Sequence, residues 1–328
     1  MSPSPIPFLL HLTSLPPSEI PAHESIPYPF PPSEDGGNPD SRPPLPLFLQ
    51  AALTQALEFL TTTVPGKSFT TNPKLRASPP SSAQVQVSSG SIKYTPLTSK
   101  SLAAADKEDK WFARRTVLDN CAAKGTASFQ EFVQGLKDDH LLNEMEYEPN
   151  ITALEDIAKW DCSGVEVEGG WSGVEASLSL VTHTFQPANL ISPRVFLAMV
   201  ITAFTPPESS ISASTTQPSG FINIQLPIHF SAIPPSLSLP KDAVRGKYVS
   251  VELVRILPDT KDSAAPGKIE WVMATSSKAR GWIPEFLQHS AIPDAIARDV
   301  GLFLKWADEQ RAKKVDKFEY FLQSSLKP

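Results

Sequence analysis

The first 46 residues carry a concentration of proline that excludes regular secondary structure from most of that segment. Fourteen of the chain's 34 prolines lie there, and six of them form three adjacent pairs. Because proline lacks a backbone N–H and fixes φ, such a segment builds neither a continuous helix nor a central strand. We therefore expect residues 1–46 to be an extension that either packs along the folded body or stays loose. Binding to a proline-recognition partner is the functional alternative.

The charge of the chain argues against nucleic acid as its main partner. The 328 residues carry a formal net charge of -6, and three acidic residues are interleaved with the densest basic stretch over 308–317. Phosphate binding requires clustered lysine and arginine, which this pattern does not provide. The sequence also has no apolar run near the ~18 residues that a membrane span needs. We expect a cytoplasmic protein without stable membrane insertion, although transient membrane contact stays open.

Motifs for covalent or metal chemistry do not occur in the sequence. It contains no GxSxG, CxxC, HExxH or GxGxxG pattern, and its six histidines are scattered. Cys121 and Cys162 have neither a disulfide framework nor the spacing of metal ligands. We therefore expect no metal and no cofactor.

The distribution of apolar residues predicts one α+β domain. Residues 47–61 have helical leucine spacing, 84–97 read as one or two strands with a turn at 88–90, and 111–118 read as a strand. Five further strands without an intervening helix are predicted at 165–185, 195–204, 221–230, 247–257 and 269–276. Consecutive strands of this kind pair antiparallel. The Ser/Thr/Pro-rich insert 206–220 predicts a mobile surface loop.

Two segments carry signals for the start of a helix. Ser128 and Glu131 fit a capping box, in which each side chain accepts a bond from a free backbone donor. Ser290 as the cap and Pro293 in the first turn predict a long final helix. An apolar stripe along that helix includes Ile296, Val300 and Phe303.

Alternation along three strands predicts an apolar sheet face that the final helix covers. A filled core explains this face as well as a cavity does. Gly301, which weakens the interior of the final helix, favours a cavity because it leaves room for a ligand. The apolar rows are Ile222, Ile224, Leu226, Ile228 and Phe230; Val249, Val251 and Leu253; and Ile269, Trp271 and Met273.

Arginine and histidine supply the polar candidates. Arg114 and Arg115 are neighbours on a strand, so one of them points into the sheet's covered side. That guanidinium either forms a structural ion pair or anchors a ligand carboxylate or carbonyl. His183 is a buried structural histidine, a polar ligand anchor or a general base. The carboxylates available to the inward arginine are Asp161, Glu166, Glu168 and Glu252.

Several segments together resemble a fungal domain family of unknown function in the START (StAR-related lipid-transfer) superfamily. They are WFARR at 111–115, the helix at 128–136, EMEY at 144–147, EWVMATS at 270–276 and GWIP at 281–284. The resemblance implies a START-like helix-grip fold, in which a curved antiparallel sheet wraps a long C-terminal helix over a ligand cavity. The domain implied spans 47–311, with a tail at 312–328.

Such a cavity implies binding of a hydrophobic small molecule, such as a lipid, a sterol or a polyketide- or terpenoid-like metabolite. The alternative is a cofactor-free cyclase or isomerase that uses His183, Arg114, Arg115 and Tyr94. The residues expected at the cavity are Trp111, Arg114, Arg115, Trp171, His183, Met199, Ile224, Leu226, Val251, Leu253, Trp271, Met273, Ile296, Val300 and Phe303.

Overall fold

A computed structural model gives the architecture of the chain. It describes residues 6–27, 42–95, 107–185, 191–207, 218–258, 267–278 and 285–325, with the side chains of the last helix over 291–314. The helices are α1 (Leu45–Glu58), which continues as a π-turn over Phe59–Thr63, α2 (Phe129–Phe132), which continues as a π-turn over Val133–Lys137, α3 (His140–Tyr147) and α4 (Glu285–Ser325).

The strands form one sheet. They are β1 (Phe69–Thr71), β2 (Arg76–Ala77), β3 (Gln84–Tyr94), β4 (Lys107–Asp119), β5 (Ile151–Trp160), β6 (Ser172–His183), β7 (Arg194–Phe204), β8 (Gly220–Pro227), β9 (Val244–Arg245), β10 (Lys247–Ile256) and β11 (Lys268–Lys278). The order across the sheet is β1-β3-β4-β11-β10-β8-β7-β6-β5, and every pair along this path is antiparallel. The predicted α+β class and antiparallel sheet are therefore confirmed.

The sheet is covered on both faces. The inner face packs on α2 and α4 through an inner cluster that includes Trp271, Phe132 and Phe303. The outer face packs on α1 and on residues 9–26 through an outer cluster that includes Ile224 and Leu53. Because side chains alternate between faces, each strand contributes to both clusters.

The N-terminal extension is partly a structural element. Leu9, Leu10, Leu12, Leu15 and Ile20 are at most 5% exposed within the outer cluster. The backbone N–H of Leu15 donates to the Pro227 carbonyl at 2.9 Å, and the N–H of His229 donates to the Leu15 carbonyl at 2.8 Å. Of the two alternatives for residues 1–46, the packed one applies to residues 6–27.

Three local predictions need correction. Residues 84–94 form one strand without the turn predicted at 88–90, because β1 pairs alongside and Gly90 lets Phe69 approach closely. Strand β5 was missed because most of its exposed residues are polar, as is usual for an edge strand. Helix α4 begins at Glu285 rather than after Ser290, so Pro293 lies inside it.

The remaining local predictions have different outcomes. The capping box is confirmed, since Ser128 Oγ accepts from the Glu131 N–H and the Glu131 carboxylate accepts from the Ser128 N–H. The insert predicted at 206–220 lies largely outside the described residues, as does the GWIP segment. Helix α4 continues past 311, where the tail was expected to begin.

Candidate functional site

A cavity lies between the inner face of the sheet, α3 and α4. Its polar chamber has a volume of about 240 Å³ and includes Arg114, Glu252 and Trp271 in its wall. Its apolar chamber has a volume of about 420 Å³ and includes Phe196 and Ile292. The two chambers share lining residues and therefore form one continuous site; the shared residues are Glu144, His183, Gln225, Ser250, Met273 and Asp299.

Arg114 is the central cation of the polar chamber. Its side chain is 2% exposed, and Nη2 donates to Glu252 Oε1 at 2.9 Å. The guanidinium carbon lies 3.9 Å from the centroid of the Trp271 ring, and the indole N–H donates to the same Glu252 oxygen at 2.7 Å. Burial raises the pKa of Glu252, although Arg114 beside it acts in the opposite direction. The three side chains fix one another on neighbouring strands.

Part of the Arg114 hydrogen-bonding capacity is unused. Its Nε and Nη1 are buried and have no partner among the described residues. A buried, unpaired N–H costs free energy, whereas a hydrogen bond to a charged donor is among the stronger ones. Since Arg114 lines the polar chamber, these donors are suited to an oxygen acceptor on a bound molecule.

A hydrogen-bonded chain crosses the wall of the cavity from β10 to α3. Tyr248 Oη donates to Gln225 Oε1, and the Gln225 amide nitrogen lies 3.0 Å from His140 Nε2. His140 Nε2 lies 3.4 Å from Glu144 Oε2, one turn further along α3. Burial lowers the pKa of His140 to about 4, so this histidine is neutral at physiological pH.

Two carboxyl groups in the cavity titrate near neutral pH. Burial raises the pKa of Glu144 to about 8, and the nearby Glu252 and Asp299 carboxylates add to the effect. Burial also raises the pKa of Asp299 to about 7, although Arg114 opposes the shift. Neither group forms an ion pair with a described lysine or arginine. Both therefore exchange protons readily around pH 7.

Aromatic and aliphatic side chains form much of the apolar chamber. His183 stacks on Phe185 with ring centroids 6.1 Å apart and meets the edge of Phe196 at 5.1 Å. Burial lowers the pKa of His183 to about 4, which keeps it neutral. Val181 and Ile292 add aliphatic surface. This part of the cavity suits an apolar group.

The structure brings together only some of the residues predicted at the cavity. Arg114, His183, Trp271, Met273 and Ile296 line it. Val300 and Phe303 lie in the packed inner cluster. The others belong to the opposite face or its edge: Trp111, Met199, Ile224, Leu226, Val251 and Leu253 in the outer cluster, Trp171 against it, and Arg115 in an ion pair with Glu270.

The predicted cavity residues of β8 and β10 lie on the opposite face of the sheet for one physical reason. The strongest apolar alternation, in β8 and β10, faces α1 and the N-terminal segment rather than α4. The polar side of the same strands, with Gln225 and Glu252, faces the cavity. Tyr94, the fourth catalytic candidate, stacks its ring on His11 with centroids 4.6 Å apart, in the N-terminal segment.

Gly301 does not provide room for a ligand. A Cβ atom at this position would lie 2.2 Å from the Pro79 carbonyl oxygen. The Gly301 N–H donates to Ser78 Oγ at 2.8 Å. The glycine thus permits the loop before β3 to pack directly on the helix backbone.

Several lining residues were not among the predicted ones, and the ionisable ones include Glu144, Tyr147, Tyr248 and Asp299. Glu144 and Tyr147 lie in the EMEY segment that carries the family resemblance. Tyr248 continues the polar row of β10, and Asp299 lies three residues after Ile296 beside the apolar stripe of α4. The position of each residue in its helix or strand could be read from the sequence. Nothing in the sequence shows that these polar positions face a cavity.

Metal ligation and membrane crossing find no support in the described residues. No group of three or more histidine, cysteine, aspartate or glutamate side chains there is placed to hold a metal ion. No helix in the described part of the chain is long and apolar enough to cross a membrane.

Comparison with known proteins connects this geometry to a family. Among curated proteins none matches the sequence. The human StAR-related lipid transfer protein 5 has a similar structure, with a TM-score of 0.50 and 14% identity over 80% of this chain and 96% of that one. Human STARD10 gives a TM-score of 0.49 and 12% identity over 85% of this chain and 88% of that one.

The sequence itself matches a family model over most of the sheet and α4. The model, described as "Protein of unknown function (DUF3074)", covers residues 111–307. Together with the structural likeness, this match confirms the expected family of unknown function with a START-like helix-grip fold. The chain belongs to the DUF3074 family.

Proposed function

We propose that this protein binds a hydrophobic small molecule in the cavity under α4. One observation carries the proposal: the cavity joins an apolar chamber to a polar end where Arg114 retains buried, unpartnered N–H donors. Ligand sites typically combine apolar walls with a few placed polar groups that fix orientation. A ligand would place its apolar body against Phe196 and Ile292 and its polar group near Arg114.

The named function of a structural neighbour supports the same proposal. Human StAR-related lipid transfer protein 5 is, by its name, a lipid-transfer protein, and it shares the fold. We expect this chain likewise to enclose a lipid, a sterol or another apolar metabolite. A cytoplasmic location and the absence of a nucleic-acid partner remain predictions that accompany this proposal.

Blocking the apolar chamber tests the proposal. Ile292→Trp adds volume on the cavity side of α4, whereas Leu302→Trp adds similar bulk on the other side of the helix, near Leu75. We expect native mass spectrometry and Nile red fluorescence to detect binding by the wild type and the Leu302→Trp protein. The Ile292→Trp protein, with an unchanged circular dichroism spectrum, should lose most of it. Equal binding by both variants would place the ligand elsewhere.

Enzyme activity is a second candidate, favoured by Glu144 and Asp299. These carboxyl groups line the cavity, and their pKa values of about 8 and about 7 suit proton transfer at neutral pH. A cofactor-free cyclase or isomerase needs such an acid or base in a site that excludes water. Of the four residues first considered catalytic, Arg114 and His183 line the cavity.

The enzyme candidate has its own test. Turnover of polyketide-like or terpenoid substrates should fall at least about a hundredfold in Glu144→Gln or Asp299→Asn if either group transfers a proton. The Arg115→Gln protein is the control, since Arg115 lies on the outer face. Binding without turnover, or turnover unchanged in both variants, would leave the protein as a carrier.

A further inference from the structure

We propose that the ligand's polar end is a protonated amine with a neighbouring oxygen acceptor, such as a hydroxyl group. This inference rests on the proposed binding function and specifies the chemistry of its ligand. It comes from the balance of charges around the polar chamber and from the unpaired donors of Arg114.

Carboxyl groups outnumber guanidinium groups in the wall of the polar chamber. The ionisable or charged groups that face it come from α3, α4 and three strands. They are His140, Glu144 and Tyr147 from α3, with Glu148 directly after it; Arg298 and Asp299 from α4; Arg114 from β4; His183 from β6; and Glu252 from β10, with Tyr248 of β10 in the adjoining chamber. The four carboxyl groups thus face two guanidinium groups.

Both guanidinium groups already have carboxylate partners. Arg114 pairs with Glu252 at 2.9 Å, and Arg298 approaches Glu148 at 3.9 Å. Glu144 and Asp299 remain without a cation among the described residues. His140, which lies 3.4 Å from Glu144, is neutral at pH 7 because burial lowers its pKa to about 4. The ionisable groups that lack a partner of opposite charge in this chamber are therefore both carboxyl groups.

The sign of this imbalance selects among ligand head groups. A carboxylate ligand would add a negative charge beside the Glu252 carboxylate and beside two carboxyl groups that titrate near pH 7, which is costly. An ammonium group would instead give Glu144 and Asp299 the charge-assisted hydrogen bonds that they lack. An ammonium cannot accept a hydrogen bond, so the free Nε and Nη1 of Arg114 call for an oxygen next to it.

Binding of a cation to this chamber carries a proton signature. The raised pKa values of Glu144 and Asp299, about 8 and about 7, mean that the pair holds more than one proton at pH 7 in the free protein. An ammonium lowers both pKa values, so binding expels protons. A neutral alcohol of the same length has no such effect. Proton release therefore separates electrostatic recognition of an amine from simple apolar uptake.

Three ten-carbon probes test the head-group preference: N-decylethanolamine, decan-1-ol and decanoate. Isothermal titration calorimetry at pH 7 in phosphate and in Tris measures affinity and the number of protons released. We expect N-decylethanolamine to bind at least about tenfold more tightly than decan-1-ol, with release of about half to one proton, and decanoate to bind most weakly. Equal or tighter binding of decanoate would overturn the inference.

Charge-removing variants show whether the two carboxyl groups cause the preference. Glu144→Gln combined with Asp299→Asn should lower the affinity for N-decylethanolamine to that for decan-1-ol and abolish the proton release. The control combines Glu155→Gln with Asp242→Asn, which removes the same formal charge from exposed positions. It should behave as the wild type. A preference that survives in the first double variant would contradict the assignment.

The experiment can contradict the amine preference without contradicting the proposed binding function. If none of the three probes binds to the wild type, the proposed binding function fails together with the inference. If decan-1-ol binds but the amine shows neither a preference nor proton release, the binding function stands and the inference alone is wrong.

Discussion

Adjacent arginines in β4 occupy opposite environments. Arg114 is 2% exposed and pairs with Glu252 beneath α4, whereas the Arg115 side chain is 50% exposed and pairs with Glu270 on the outer face. Strand alternation alone separates them. The same residue type is thus a buried structural cation at one position and a surface charge at the next.

The stability of the fold should depend on these two arginines very differently. Arg114→Gln leaves the Glu252 carboxylate buried without its cation, and we expect a loss of about 3–5 kcal/mol in the free energy of unfolding. Arg115→Gln removes a half-exposed pair, and Glu270 keeps Arg255 at 2.7 Å, so the loss should stay below about 1 kcal/mol. Urea denaturation of both variants measures the difference, and losses of similar size would contradict the assigned burial.

Glu144 should make stability fall as pH rises. Its pKa is about 8 in the folded protein and 4.5 when unperturbed, so between these values the folded state keeps a proton that the unfolded state has lost. The contribution to stability is therefore full below about pH 4.5 and is lost as pH rises through about 8. Asp299 acts with the same sign up to about pH 7.

The Glu144→Gln protein tests this pH dependence. Because glutamine does not titrate, the variant should lose less stability than the wild type between about pH 5 and about pH 9, and it should be the more stable of the two at about pH 9. Urea denaturation across this range measures both slopes. The Glu155→Gln protein, changed at an exposed position of β5, should keep the wild-type slope. A wild-type slope in Glu144→Gln would show that Glu144 is not protonated in the folded state.

Sequence reasoning found part of the site and missed the rest for a definable reason. The parity of Arg114 and Arg115 predicts that one guanidinium is buried, and Glu252 was among its possible partners. When both sides of a strand are buried, alternation does not say which elements cover each side. Gln225 and Glu252 lie in polar rows of their strands, and polarity usually marks the exposed face rather than the wall of a cavity.

At the scale of the elements, the sheet differs from a simple two-layer α+β arrangement because it has covers on both faces. Alternation in β8 and β10 correctly sorted residues into two rows, yet it assigned the apolar row to the wrong neighbour. That row meets α1 and the N-terminal segment. The apolar stripe of α4 meets Trp271 and Phe132 instead. Element types were readable from periodicity, but the pairing of faces depends on contacts far apart in the chain.

Helix α4 provides a prediction in which packing opposes intrinsic propensity. Replacement of an interior helix glycine by alanine ordinarily stabilises by about 1 kcal/mol. At Gly301 the new methyl group would lie 2.2 Å from the Pro79 carbonyl oxygen, so the loop must move away from the helix. We expect Gly301→Ala to destabilise the protein by about 1–3 kcal/mol.

An exposed position in the same helix calibrates that measurement. Ala312 is exposed in α4, and Ala312→Gly should cost about 1 kcal/mol through propensity alone. Thermal or urea unfolding of both variants separates the two effects. Stabilisation by Gly301→Ala would mean that the loop at Ser78 and Pro79 does not pack on this helix.

At the scale of the whole molecule, the proline-rich N-terminus belongs to the folded body in part. Proline content correctly predicted that residues 6–27 hold neither a continuous helix nor a central strand, but it left open whether the segment packs or stays loose. The structure places Leu10 at 0% exposure in the outer cluster. The same strands carry the inner cluster on their other side, so the N-terminal segment and the cavity lie on opposite faces of one sheet.

This arrangement predicts that the two clusters unfold together. Leu10→Ala in the outer cluster should cost about 2–5 kcal/mol, because it leaves a cavity among packed side chains. Leu75→Ala, at a side chain that is 48% exposed, should change stability by less than about 0.5 kcal/mol. The chain has six tryptophans, of which Trp111 lies in the outer cluster and Trp271 in the inner one. Two backgrounds that each keep only one of these two, with the other five tryptophans changed to phenylalanine, therefore report on the two clusters separately. In a cooperative unit, Leu10→Ala shifts the urea midpoint equally in both backgrounds. If only the Trp111 signal moves, the N-terminal segment separates from the sheet while α4 stays packed on it. The two faces are then independent folding units.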